Sequence, residues 1–318
     1  MFTDELYTRV LCEPAHKGCG ELFIVSGFAS STFANRHVKD LISINPEVKV
    51  NLIIGMKINR NDDLALKKLI NDHPRNFKAY YFEGRGEVHS KVYCWTKNKT
   101  PETCFSGSAN YSQEAFLGYQ QNQMVHDDPD EAFTYFNELL ADSDAVDTTP
   151  IKLPKSRAPL APTSSTDAQP GSVTWLVPGQ IAKISLLTNR GAIVPSRSGL
   201  NWGQRPELKR EPNQAYLALY GDAKDEGFLP ERGKTFTLIT DDKKSFDMVV
   251  QQDNRKAISS TSNNSEIGIY FRQRLGVKLG APVSRRDLEH YGRTDYTLEK
   301  IDEETFFLDF SNTNHPIP

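Results

Sequence analysis

No apolar run in this 318-residue chain approaches the ~20 residues that a membrane-crossing helix needs. The opening stretch, MFTDELYTRVL, carries an early acid pair. It lacks the basic region, apolar run and small-residue cleavage site of a secretory leader, so a cytoplasmic protein is expected. Cysteine is scarce: Cys12, Cys19, Cys94 and Cys104 are the whole complement, and free thiols are expected in a reducing compartment. Cys12, His16 and Cys19 could give three zinc ligands. No second cluster of matching spacing follows, and a structural zinc site takes four, so no metal site is assigned. No Gly-x-x-x-x-Gly-Lys-Ser/Thr phosphate loop occurs, so the chain cannot power translocation on its own. Nor does one charge dominate: the net charge is −3, divided as −6 over residues 1–150, +2 over 151–170 and +1 over 171–318. A nucleic-acid binder of this composition must use local basic patches instead of a global positive field.

What is present is a globular composition, 38% hydrophobic and 25% charged, long enough for two domains. The stretch Pro150–Ser172 holds five prolines among Ser, Thr and Gly with few large apolar residues, and reads as an extended linker. It separates a first part, 1–149, from a second, 173–318. The first part alternates strand-like runs (Glu21–Phe28, Val48–Gly55, Phe77–Gly84, Glu87–Trp95) with helical periodicity (Ser31–Ser43, Asp63–His73, and a stretch after Asp130), which predicts an α/β sandwich. The second part has short strands such as TFTLITDD, SFDMVVQQD and FFLDF, with helical pattern only in SEIGIYFRQRLG and SRRDLEHYG. That predicts a mostly β barrel or sandwich.

Two stretches of the first part carry chemistry. In EVHSKVYCW, His89 and Lys91 stand two apart and would project from one face of a strand. Downstream, Gly107-Ser108-Ala109-Asn110 falls where a strand is predicted to give way to a helix. A glycine there lets backbone approach a ligand, a helix start offers free N–H groups to an anion, and Ser108 and Asn110 add neutral donors. Together they describe a phosphate pocket containing an imidazole. No carboxylate cluster suited to magnesium accompanies it.

His-x-Lys followed by Gly-Ser-x-Asn resembles the signature of the phospholipase D superfamily. The resemblance implies a histidine nucleophile, a phosphohistidine intermediate resolved by water or an alcohol, and a lysine and asparagine that neutralise the phosphoryl oxygens without a metal. That mechanism takes two histidines, one to attack and one to protonate the leaving oxygen. His126 has no lysine two residues on, and the other histidines lack the context. The second histidine is therefore expected from another copy of the chain, in a homodimer with one composite site on its two-fold axis. Two departures stand out. Thr96 occupies the place of an aspartate in the longer signature, which leans away from lipid hydrolysis. Where nuclease members carry a supporting glutamate, GYQQNQMV offers Gln121 or Gln123. Gln123 is taken as the group behind His89, with Glu114 as the other candidate.

In the second part, SGLNWGQR (Ser198–Arg205) and Gln251–Gly276 concentrate Asn, Gln, Ser and Arg, the side chains that read base edges and hold phosphates. The run from Val173 to Phe310 resembles the C-terminal region of NgoFVII-type restriction endonucleases, which is similar to the plant B-three DNA-binding domain, a seven-stranded open pseudobarrel. The resemblance implies two arms that grip the major groove. The first, around Ser196–Arg205, would present Ser196, Arg197, Ser198, Asn201, Trp202, Gln204 and Arg205. The second, around Arg255–Ser265, would present Arg255, Lys256, Ser259, Ser262, Asn263 and Asn264, with Arg272 beyond it. Both parts thus point to a metal-independent, homodimeric restriction endonuclease acting on double-stranded DNA. The linker would let the cut fall outside the recognised bases. A lipid or other phosphodiesterase lacks support, since no amphipathic membrane segment is present and the second part looks like a base reader. A non-catalytic DNA-binding protein, and the nuclease subunit of a larger ATP-dependent system with a translocase or helicase subunit and a cognate DNA methyltransferase, are the competing readings.

Overall fold

Strand alternation divides the first unit into two cores. Along β1 (Glu21–Ser26), Leu22 and Ile24 face one side, while Phe23 and Val25 face the other. Along β4 (Lys91–Lys97), Tyr93 and Trp95 join the first set, and Val92 and Cys94 the second. The computed structural model describes residues 1–56, 64–118, 120–149, 153–154, 173–187, 193–219, 227–251 and 257–312. The chain divides into two units, Met1–Ile151 and Lys152–Pro318. The Pro150–Ser172 linker lies outside the described residues except for Leu153 and Pro154, as do Arg255 and Lys256.

The first unit is a seven-stranded mixed sheet. With β2 (Lys49–Ile54), β3 (Phe77–Phe82), β5 (Thr100–Gly107), β6 (Met124–Asp127) and β7 (Ser143–Ala145), its order is β6-β5-β4-β1-β2-β3-β7. The central β1, β2 and β3 run parallel, and the flanking strands are antiparallel to their neighbours. On one face lie α1 (Glu13–His16), which continues a π-helical turn at Tyr7–Cys12, then α2 (Ser31–Ile44) and α3 (Leu64–Asp72). The core beneath them includes Phe33, Trp95 and Tyr111, and the Trp95 indole donates to the Val10 carbonyl at 2.9 Å. On the other face α5 (Pro129–Ala141) buries Ala132 and Phe136 against β1, β4 and β5. Pro129 opens this helix, and the Asp128 carboxylate accepts from the Asp130 and Glu131 amides at 2.9 Å, satisfying donors that the first turn leaves free. On the α2 side of the sheet, α4 (Gln113–Phe116) is a single turn that buries Ala115 and Phe116 in the same core as Phe33.

The second unit is an eight-stranded sheet. Its strands are β8 (Val173–Val177), β9 (Ile181–Ser185), β10 (Leu217–Ala218), β11 (Thr235–Thr240), β12 (Ser245–Gln251), β13 (Ala257–Ser260), β14 (Asp295–Lys300) and β15 (Thr305–Asp309). The order is β10-β13-β12-β11-β15-β14-β9-β8, antiparallel throughout except for the β11–β15 pair. Two helices, α6 (Ser265–Leu275) and α7 (Arg285–Tyr291), complete it. The core is aromatic, with Phe236, Phe271, Tyr296, Phe306 and Phe310 all buried. Two ion-pair groups lie in this core: Arg293 meets Asp295 at 3.1 Å and Asp309 at 3.3 Å, and Arg274 meets the buried Asp241 at 2.8 Å. Among the described residues no helix is long and apolar enough to cross a membrane.

Candidate active site and DNA-binding surfaces

Strand directions bring the two motifs of the first unit to one edge of the sheet. β1 and β2 end there, β4 begins there with Lys91 opposite Ser26, and β5 ends there at Gly107. His89 is not in the strand. The predicted strand Glu87–Trp95 begins only at Lys91, and residues 87–90 run as a loop across the end of β2. Its anchor is the Val88 amide, which donates to the Gly55 carbonyl at 3.1 Å. A β-carbon on Gly55 would lie 2.1 Å from the Val88 carbonyl oxygen, so the loop can lie this low only over a glycine. The His89 side chain is 61% exposed, open to a polymer substrate, and the Lys91 ammonium donates to the His89 carbonyl.

The Gly-Ser-x-Asn stretch approaches from β5. The Ser108 amide donates to the Gln123 carbonyl, and the Ser108 hydroxyl accepts from the Gln123 amide and donates to Asn122 Oδ1, each at 3.0 Å. Gly107 is packed so closely that a β-carbon there would lie 2.1 Å from the Gln123 carbonyl oxygen. Asn110 Oδ1 accepts from the Phe28 amide at 3.3 Å, and the Ser26 hydroxyl, which donates to the Phe28 carbonyl, lies 3.4 Å from it. With the oxygen engaged there, Nδ2, a pure donor, is the group Asn110 can offer to a ligand. The Gly27–Phe28 backbone joins the two motifs, because a β-carbon on Gly27 would sit 3.4 Å from the His89 Cα. His89, Lys91 and Asn110 therefore surround one short piece of chain. Phe28 itself is 40% exposed beside them.

Three expectations need correction. The helix after Gly-Ser-x-Asn starts only at Gln113 and makes one turn, capped by the Ser112 hydroxyl. The motif therefore does not open a helix, and so short a turn has little dipole. Ser108 is engaged with Asn122 and Gln123, and its role is to hold the turn. The Gln123 side chain is exposed and makes no bond to His89. The carboxylate beside the imidazole is Glu87, whose Oε2 lies 3.4 Å from His89 Nε2. The sequence carried a signal for Glu87, since a residue two before the histidine in an extended segment shares its side. A further His-x-Lys, His37 to Lys39, lies in α2. His37 is buried there between the Tyr111 hydroxyl at 2.7 Å and the Leu11 carbonyl at 3.0 Å, and burial pushes its pKa down to about 4. It is a core histidine away from the sheet edge. Among the described residues no three His, Cys, Asp or Glu side chains converge as a metal site.

In the second unit the two predicted arms are tied together. The Ala215 amide donates to the Asn264 carbonyl at 2.9 Å and the Tyr216 amide to the Gly199 carbonyl at 3.2 Å. Ser196, Arg197, Ser262 and Asn263 are exposed, and Ser198, Trp202, Arg205 and Asn264 are half-buried. Arg197 pairs with Glu207, and the Arg205 guanidinium donates to the Arg197 carbonyl at 2.9 Å. Several candidates face inward instead. Arg272 is fully buried and donates to the carbonyls of Ala281, Gly268 and Leu200. Asn201 is buried, its amide bonded to the Pro195 and Val283 carbonyls and its oxygen to the Val283 amide. Gln204 donates to the Pro212 and Gly280 carbonyls, and Ser259 is buried in β13. Arg272, Asn201 and Gln204 hold loop backbone in place. Conversely, Arg210 lies 3.7 Å over the Trp202 ring, a cation the sequence reading passed over.

The fold and these motifs define a phospholipase D-like nuclease unit followed by a mostly β unit of the B3-like kind. Comparison with known families gives the same division. Residues 4–153 match the NgoFVII restriction endonuclease N-terminal PLD domain, and residues 179–302 match the NgoFVII C-terminal B3-like DNA-binding domain. The chain belongs to the NgoFVII restriction endonuclease family, with a nuclease domain and a DNA-binding domain. Among solved structures, NucT from Helicobacter pylori is 19% identical over 45% of this chain and 96% of its own, with a TM-score of 0.33. Nuc from Salmonella typhimurium, a phospholipase D family member, is 15% identical over 42% of this chain and 86% of its own, with a TM-score of 0.31. Polyphosphate kinase from Porphyromonas gingivalis is 14% identical over 45% of this chain and 22% of its own, with a TM-score of 0.32. No curated protein matches the chain at a significant level.

Proposed function

We propose that the chain cuts duplex DNA by a double displacement at phosphorus, in a site built from two copies of the chain. One His89 imidazole attacks the phosphorus, and the P–O bond to the leaving strand breaks. The partner copy's imidazolium gives its proton to that oxygen. The resulting phosphohistidine is opened by water, whose proton goes to the now-neutral partner imidazole; the P–N bond breaks and a phosphomonoester is released. Lys91 and Asn110 Nδ2 donate to the non-bridging oxygens, supplying the charge and hydrogen bonds that a metal would otherwise provide. The observation that carries this reading is that His89, Lys91 and Asn110 all adjoin the Ser26–Phe28 stretch: Lys91 pairs opposite Ser26, Gly27 approaches the His89 Cα, and Asn110 Oδ1 accepts from the Phe28 amide.

The B3-like unit supplies the targeting. Arg197, Ser262 and Asn263 are its exposed candidates and Arg205 a half-buried one, with Arg255 and Lys256, outside the described residues, as further candidates by sequence. Such groups fix register on phosphates and read base edges. The linker between the units suits cleavage outside the recognised bases. A test is incubation of plasmid DNA with the protein in EDTA, with and without ATP, magnesium and candidate translocase or methyltransferase partners. Cutting in EDTA that His89→Ala removes is expected. Cutting only on addition of magnesium would sink the metal-free mechanism, and cutting only with ATP and a partner would make the chain a subunit of a larger system.

A further inference from the structure

We infer that Tyr135, on α5, is a positioning residue for His89 and Lys91. The link is Ser90, the residue between them. Side chains alternate along extended backbone, so Ser90 points away from its two neighbours, toward the face that α5 covers. There the Ser90 and Tyr135 hydroxyls share a hydrogen bond at 2.7 Å. Tyr135 is well placed to hold a position. It packs on the core formed by Val25, Cys94, Cys104 and Phe136, beside the buried Ala132 and Phe136 of its own helix. The loop it reaches has few other tethers. Residues 87–90 pair with no strand among the described residues. The loop's other anchors are the Val88 amide bond to Gly55, the packing of Val88 on the α5-side core and the close approach of Gly27 to the His89 Cα; the polar contacts of His89, with Lys91 and Glu87, lie inside the same stretch.

The bond therefore sets the height and pitch of the backbone at position 90, and through it the placement of the imidazole on one side and the ammonium on the other. Reaction at phosphorus depends steeply on such placement. The role is indirect, since Tyr135 touches only Ser90 in this motif. The inference rests on the reading of His89 as the nucleophile.

The test is single-turnover cleavage of supercoiled plasmid at saturating protein, with DNA affinity and Tm measured separately, on the full chain. Tyr135→Phe removes one hydroxyl and leaves the ring packing intact, and Ser90→Ala removes the other. Each is expected to slow cleavage by about two- to tenfold, the worth of one net hydrogen bond, with DNA affinity unchanged and the protein still fully folded at the assay temperature despite a small fall in Tm. The double variant is expected to be no slower than the slower single variant, because one bond is lost either way. Parental rates in either single variant would overturn the inference. So would losses that multiply in the double variant, or a slowdown explained by weaker DNA binding or by unfolding at the assay temperature. His89→Ala is run alongside: if it still cuts, the nucleophile assignment fails on its own, whatever Tyr135→Phe does.

Discussion

Gly55→Ala adds one methyl group to the end of β2, away from every group proposed to touch DNA, and is expected to disable the nuclease. The added β-carbon would lie 2.1 Å from the Val88 carbonyl oxygen and 2.6 Å from the Val88 β-carbon. An ordinary contact needs at least 3.4 Å, so the loop and the strand must part by about 1.3 Å. The Val88 amide bond to Gly55 would lengthen with them, and His89 is the next residue. Overpacking of this kind costs about 1–3 kcal/mol of stability. A misplacement of ~1 Å at a reacting group costs ~10²-fold in rate. The assay is plasmid cleavage at saturating protein, with thermal unfolding and binding of a recognition duplex as controls. The expected result is a folded protein that binds DNA as the parent does and cleaves ~10²-fold more slowly. Parental cleavage by Gly55→Ala would refute the argument that the 87–90 loop must lie this close to β2.

Other consequences follow from the same contacts. Asn110→Asp replaces the donor facing the phosphate with an acceptor and should slow cleavage by ~10²–10³-fold while leaving duplex binding intact, as a gel-shift assay would report. Phe136→Ala empties the α5-side core and should lower the stability of the first unit by ~3–5 kcal/mol in urea, without changing DNA affinity. Arg272→Ala should unfold the second unit at lower temperature, with any loss of binding following the loss of fold. Arg197→Ala should keep the Tm and weaken binding with a shallower salt dependence. His37 has its folded pKa depressed to about 4 from 6.5, so its contribution is fully present above pH 6.5. Below that the unfolded chain takes up a proton that the folded chain refuses, and stability falls as pH drops toward 4, by ~3 kcal/mol in all. Urea melts between pH 4 and 7 should show this slope, and His37→Gln should flatten it.

Much of this was legible in the residue order, for reasons that particular positions make plain. The alternation of Leu22 and Ile24 with Phe23 and Val25 marked a strand buried on both faces, and β1 lies at the sheet centre. That His89, Lys91 and Asn110 would come together was legible because a His-x-Lys and a Gly-Ser-x-Asn fall at the ends of adjacent strands. The true start of β4 could not be seen: Val88 and Ser90 alternate like strand residues, and the loop is set by contact with Gly55, distant in sequence. Composition misled most in the second unit. Arginine and amide side chains read bases, but they also satisfy backbone carbonyls inside loops, and only tertiary contacts separate Arg272, Asn201 and Gln204 from Arg197 and Asn263. His37–Lys39 shows the same limit, since the spacing of the reactive motif recurs where a helix buries the histidine.

The most direct test of the mechanism is the stereochemical course at phosphorus. A single-site duplex carrying a phosphorothioate of one configuration at the scissile bond would be cut in EDTA in isotopically labelled water, and the configuration of the product phosphorothioate determined. Two successive in-line displacements through a phosphohistidine predict overall retention. Inversion would mean that water attacks directly, and would contradict the assignment of His89 as nucleophile.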